Sequence, residues 1–190
     1  MKNISAKFLI TMAIGLVTFL DAQTINRYGT TTANFLEIGI GSRATSMGDA
    51  YVAVANDVSS IYWNPAGLSH LTKSSALFSI QPWLVDIDMM FAGGAFVVPS
   101  VGVIGLGITH LDYGEMDVTN LEYQDGTGER FGASDVAATF TFSRKIVSWF
   151  SFGSSMKYIS SKIWHSTASA FAVDLGVLVN TNFFSFTGKD

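Results

Sequence analysis

The chain has 190 residues, 48% apolar and 14% charged, with 18 glycines, no cysteine and a net charge of −4. The missing cysteines exclude disulfides and thiolate chemistry, and the acidic balance argues against a nucleic-acid partner, which would call for a basic surface. Apolar residues are dispersed among glycine, serine and threonine, which suits sheets with one apolar face.

Residues 1–22 read as a signal peptide. Lys2 and Lys7 give a positive start, residues 8–20 an apolar core, and Ala22 precedes Gln23 where a signal peptidase would cut. The run is shorter than the ~20 residues of a spanning helix, so export is expected, with a retained anchor as the alternative.

The next unit, 23–73, holds the stretch GSRATSMGDAYVAVANDVSSIYWNPAGL at 41–68. Asp57 stands where the N-cap of a short helix over 58–63 would stand. Pro65 biases Asn64 away from helical angles, and Gly67 is expected to take the positive φ that follows a helix end. Met47, Tyr51 and Val54 recur at helical spacing, predicting a short amphipathic piece that packs on a wall. By residues alone, a compact helical cap beside a sheet also fits.

In order and spacing, Gly39-Ile40-Gly41-Ser42-Arg43-Ala44, Met47-Gly48-Asp49-Ala50, Val52-Ala53-Val54-Ala55-Asn56-Asp57 and Trp63-Asn64-Pro65-Ala66-Gly67-Leu68 closely resemble the N-terminal plug of FadL-like outer-membrane proteins. With the leading Ala33-Asn34-Phe35-Leu36-Glu37-Ile38-Gly39, the likeness is closer to the PorV/PorQ branch. The resemblance implies an all-β, antiparallel outer-membrane barrel blocked by its own N-terminal segment, without cofactor or metal. Its plug residues would be Arg43, Gly48, Asp57, Trp63, Asn64, Pro65, Ala66, Gly67 and Leu68. It further implies a non-enzymatic role in or near type IX protein secretion, with secreted cargo proteins or other machinery subunits as partners besides outer-membrane lipid. The alternative within the family is a transporter of hydrophobic small molecules.

From residue 74 onward the pattern alternates with a period of two, the mark of a strand between two environments. Phe171, Val173, Leu175, Val177 and Val179 oppose Ala170, Ala172, Asp174, Gly176 and Asn180; Val136, Ala138, Phe140 and Phe142 oppose Asp135, Ala137, Thr139, Thr141 and Ser143. An apolar face against a small, polar one is what a barrel wall in lipid requires, and Asp135, Thr139 and Asp174 are the lumen-facing candidates. Strands are predicted over 75–83, 89–98, 101–113, 133–145, 149–163 and 169–180, with a seventh from Phe183. Pro99-Ser100, Val147-Ser148 and Thr181-Asn182 are expected to be tight turns, and 112–130 a long acidic loop. Trp83, Tyr113 and Trp164 are placed in one aromatic girdle, and Trp149, Phe150, Phe183 and Phe184 in the other. Seven strands cannot close a single-chain bacterial barrel, so residues 74–190 are expected to be part of a larger one, the chain matching the N-terminal half of a family member.

Chemistry-bearing constellations are weak. His70, His110 and His165 are scattered, and Ser166 is too close to His165 in sequence for a catalytic triad. Glu115, Asp117, Glu122, Asp125 and Glu129 lack the spacing of a calcium loop, and Gly102, Gly105 and Gly107 lie within a strand, where glycine lets another backbone approach the wall.

Overall fold

The computed structural model describes residues 33–84 and 87–180. The expected signal peptide at 1–22, the Thr181-Asn182 turn and the strand from Phe183, with Phe184, lie outside the described residues. Most of the described residues form one antiparallel sheet of six strands: β1 (Ser75–Pro82), β2 (Asp88–Val98), β3 (Gly102–Asp117), β4 (Arg130–Val147), β5 (Phe150–Ile163) and β6 (Ser166–Val179). Each strand pairs with the next in chain order. Among the described residues β1 and β6 are paired on one side only, so the sheet is open and these six strands form no closed barrel.

Two connections are longer as strand than the sequence suggests. The loop predicted over 112–130 shrinks to 118–129, because β3 runs to Asp117 through a register shift between Asp112 and Glu115. Gly114 takes a φ of 70° there, and the extended ladder is tied by Arg130, whose Nε and Nη1 donate to Asp117 and Glu115 at 3.0 and 3.1 Å. β6 begins at Ser166, earlier than predicted, since Trp164 reaches a φ of 52° and turns the chain within two residues. The tight turns after β2 and β4 stand where expected, with Ser100 at φ 67°.

The two faces of the sheet obey opposite rules. On one face the register aligns Asp88, Asp112, Ser134, Lys162 and Thr167 in a row across β2 to β6. Towards the other end Arg144 lies opposite Phe152. Between these limits this face carries no Asp, Glu, Lys or Arg, and its large side chains are bare: Phe78, Ile108, Phe171 and Leu175 are 67, 54, 76 and 73% exposed. From Ser134 to Arg144 is ten residues, about 34 Å along a strand and, at a tilt near 40°, about 26 Å of height. The opposite face is covered by the helical segment 33–71, and the core formed between them includes Phe35, Ile61, Leu68, Met89, Phe91 and Leu111.

That segment is a chain of short turns. A 3-10 helix spans Asn34–Glu37, α-helical turns span Ser42–Thr45 and Ser60–Trp63, and a second 3-10 helix spans Pro65–His70. The amphipathic piece expected from Met47, Tyr51 and Val54 does not form: residues 46–54 are turns, Tyr51 is fully buried, and Met47 and Val54 are exposed. Gly48 and Asp49, at φ 62° and 63°, break any helical run there. Tyr113 also departs from the expected girdle, because it faces the covered side, where its hydroxyl donates to Asp135 Oδ2 at 2.7 Å. Trp83 and Trp164 do stand at one end of the sheet, and Trp149, tilted against Phe150, at the other.

Candidate functional site

The contact between the helical segment and the wall is where the sequence-predicted residues converge. The segment first ties itself together. Arg43 Nη1 donates to Asn56 Oδ1 at 2.8 Å, sits 3.6 Å from Asp57 Oδ2, and lies 5.3 Å over the Tyr51 ring. Both charged groups are about half exposed, so the ion pair itself adds little. Asp57 does more through neutral donors: it accepts from the Tyr51 hydroxyl at 2.9 Å, the Ser59 amide at 2.9 Å and the Ser59 hydroxyl. Burial first, then the Asp57 bond, raises the Tyr51 pKa. The expected N-cap is thus a turn from Asp57 that leads into Ser60–Trp63, two residues later than predicted.

Tyr62 and Trp63 bind this turn to the start of the segment. The Tyr62 hydroxyl donates to the Leu36 and Ile38 carbonyls at 2.6 and 2.7 Å, and Trp63 Nε1 donates to the Ile40 carbonyl at 3.1 Å. Trp63 meets Tyr51 and Tyr62 edge-on, with centroids 6.1 and 5.5 Å apart, as aromatic quadrupoles prefer. Burial, helped by the charges of Asp49 and Glu37, pushes the Tyr62 pKa well above the usual range.

Asn64 then joins segment to wall. Pro65 holds it extended, at φ −157° and ψ 108°, so its side chain caps the next turn by accepting from the Ala66 amide at 3.1 Å. Its Nδ2 donates to the Val52 carbonyl within the segment and to the Val177 carbonyl of β6, at 3.0 and 3.2 Å. From β4, Ser143 Oγ donates to the Ala66 carbonyl at 3.1 Å. Leu68 is fully buried against the wall.

Glycine on the wall makes this approach possible. A Cβ at Gly153 would enter the backbone of Pro65 and Ala66, one at Gly176 would strike Asn64 Oδ1 and the Pro65 ring, and one at Gly105 would lie 2.8 Å from Leu68 Cδ1. Gly107 meets Ile61 in the same way. Gly102 differs from the glycines it was grouped with, since it opens β3 at φ 145°, where a Cβ would meet the Ser143 carbonyl. Gly67 is not at a positive φ; it is needed because a Cβ would collide with the Ala55 carbonyl and the Ser60 hydroxyl.

Above this contact the covered face is polar. Lys157 of β5 lies opposite Thr139 and bonds Asp174 Oδ2 at 2.7 Å, with its ammonium 6.0 Å from the Tyr62 ring centroid. The structure therefore brings Thr139 and Asp174 to one lysine, while Asp135 stands apart with Tyr113. Lys157 was not singled out by the sequence, although a lone lysine between Met156 and Tyr158 in an alternating strand was the available signal. Beside this pair a cavity of about 380 Å³ is lined by Val52, Tyr62, Trp63, Pro65 and β6.

Among the described residues no histidine is hydrogen-bonded to a hydroxyl. His70 meets Asn180 at 3.1 Å, and His165 stacks on Trp164, with centroids 4.9 Å apart. Among the described residues no three His, Asp or Glu side chains gather as a metal site would need. Gly48 lies in an exposed turn of the segment. No family model matches the chain, and no curated protein matches it.

Proposed function

We propose that the chain is a non-enzymatic outer-membrane β-barrel protein of the PorV/PorQ type, exported by a cleavable signal peptide, in which residues 33–71 are a plug held inside the wall. The observation that carries this reading is the face rule of the sheet. One face exposes Phe78, Phe171, Val173 and Leu175 over a charge-free band about as tall as the apolar girdle of an outer-membrane barrel, while all the mid-strand charges, Asp135, Lys157 and Asp174, lie on the other. A soluble sheet would turn such a bare apolar face into a second core. Among the described residues the outer edges of β1 and β6 are unpaired, so the reading requires further strands to close the wall, since in lipid each unpaired backbone group costs several kcal/mol.

Within that scaffold the motif over 41–68 favours a part in type IX protein secretion, with cargo proteins or machinery subunits as partners. The cavity beside Tyr62 and Trp63 favours the second reading, a FadL-like transporter, because aromatic walls next to the Lys157–Asp174 pair would suit a hydrophobic molecule with a polar head. Fractionation tests the scaffold: the protein should sediment with outer membranes and begin at Gln23, and recovery in the soluble periplasm would refute it. Pull-down then separates the roles. Secretion predicts co-purification with surface-exported proteins sharing a C-terminal domain; transport predicts normal secretion and impaired uptake of a hydrophobic solute in a deletion strain.

A further inference from the structure

The two ends of the sheet differ in charge. At the end of the 118–129 connection, carboxylates dominate: Asp88 and Asp112 on the wall and Glu122, Asp125 and Glu129 in the connection. At the opposite rim, formed by the β2–β3 and β4–β5 turns and the end of the helical segment, stand Lys73, Arg144 and Lys145. Among the described residues 65–75, 96–103, 142–153 and 177–180 there is no Asp or Glu. Arg144 and Lys145 line a groove of about 290 Å³ together with Ser69, Leu71 and the turn at Pro99, Ser100 and Val101. Neither makes an ion pair among the described residues.

The turns at this rim are also apolar at their tips. Val101 is 47% exposed, Ile146 55% and Trp149 57%. Tight turns dipping into water have no use for Ile and Trp beside Arg and Lys, whereas the headgroup layer takes all four, the apolar parts towards acyl chains and the cations towards phosphate. Arg144 follows Phe142 on the bare face, so the basic rim runs without a break into the apolar band.

We infer that this rim is a binding site for an anionic phospholipid, its headgroup phosphate held at the strand end between Arg144 and Lys145 and its acyl chains lying on the bare face. The inference rests on the membrane reading above. Arg144 leaves β4 on the bare face and Lys145 on the covered one, so the two cations flank the rim from either side; without a competing carboxylate they select charge rather than a particular headgroup, and phosphatidylglycerol should be preferred to phosphatidylcholine.

The test uses the full chain, extracted from membranes in a zwitterionic detergent and offered equal amounts of dioleoylphosphatidylglycerol and dioleoylphosphatidylcholine, with retained lipid counted by native mass spectrometry. The expected result is a preference for phosphatidylglycerol of about tenfold, weakened at high salt. An Arg144→Gln/Lys145→Gln variant should fall to parity with unchanged circular dichroism, whereas Lys162→Gln, at the acidic end, should keep the preference. Equal retention by the native chain, an unchanged preference in the double variant, or equal loss in Lys162→Gln overturns the site. So does displacement by inorganic phosphate alone, or binding of polyglutamate in place of lipid, which would make the rim an anion or protein site. A chain that is never membrane-bound sinks the membrane reading itself; a membrane-bound chain without lipid preference sinks only this site.

Discussion

The two faces of the wall are built from the same strands, residue by residue in alternation, yet they place opposite demands on the sequence. On the covered face the helical segment comes so close that side chains are excluded from Gly153 and Gly176, and a fixed set of bonds from Asn64 and Ser143 sets its position. On the bare face Phe171 and Leu175 touch little of the protein, and what matters is their apolar character. One face specifies shape, the other specifies solvent. A substitution should therefore be judged by which face it enters before its chemistry is considered.

The largest effect is expected where a side chain enters the close approach. Gly153→Val pushes against the Pro65 and Ala66 backbone, which cannot rotate away, and should destabilise by about 3 kcal/mol or more. Gly94→Val on the bare face is the paired control: the nearest atoms to its Cβ are the Phe96 ring at 3.8 Å, and the change should stay within about 0.5 kcal/mol. Urea midpoints of the detergent-solubilised protein measure both. Arg43 is the sole Lys or Arg between residues 33 and 72, so tryptic cleavage there reports release of the segment. Equal midpoints for the two valine variants would break the comparison.

Cavity creation sharpens it. Leu68 is fully buried, and Leu68→Ala should cost about 3 kcal/mol, whereas Leu175→Ala, 73% exposed, should cost almost nothing. Asn64 comes next. Asn64→Ala strands the Val52 and Val177 carbonyls and the Ala66 amide, for about 2 kcal/mol. Asn64→Asp keeps the acceptor for Ala66 but loses both donors; if it unfolds like the native chain, the link to β6 carries no stability.

Both faces were legible in the sequence because alternation is a local signal: Phe171, Val173 and Leu175 against Asp174 and Gly176 need no tertiary knowledge to be sorted. The close approach at Gly105 and Gly107 was readable for the same reason, glycine being costly in a strand unless something lies against it. What was misread depended on neighbours remote in sequence. Gly67 looked like a helix terminator, but its need is set by Ala55 and Ser60, which fold over it. Met47, Tyr51 and Val54 looked like one helical face until Gly48 and Asp49 turned the chain and sent only Tyr51 inward. Tyr113 looked interfacial, but the side it faces follows from its alternation in β3 and from Asp135 on β4. Lys157 became visible only when pairing put it beside Asp174.

The smallest effect concerns a single hydroxyl. Tyr62 donates to the Leu36 and Ile38 carbonyls, and Tyr62→Phe keeps the ring while removing those bonds, for about 1 kcal/mol at neutral pH. Tyr158→Phe, on the bare face, should leave the midpoint unchanged. Tyr62 also predicts a pH signature. Burial chiefly, with Asp49 and Glu37 adding to it, raises its folded pKa above the unfolded value of about 10. A group whose folded pKa is raised gives its full stabilisation below the unfolded pKa and loses it as pH climbs from there towards the folded one. The native chain should thus lose stability above about pH 10 more steeply than Tyr62→Phe, which has no proton to give up. Urea midpoints at pH 7, 9 and 11 settle the matter, and parallel losses in the two proteins would show that this hydroxyl does not hold the segment against its own N-terminal turn.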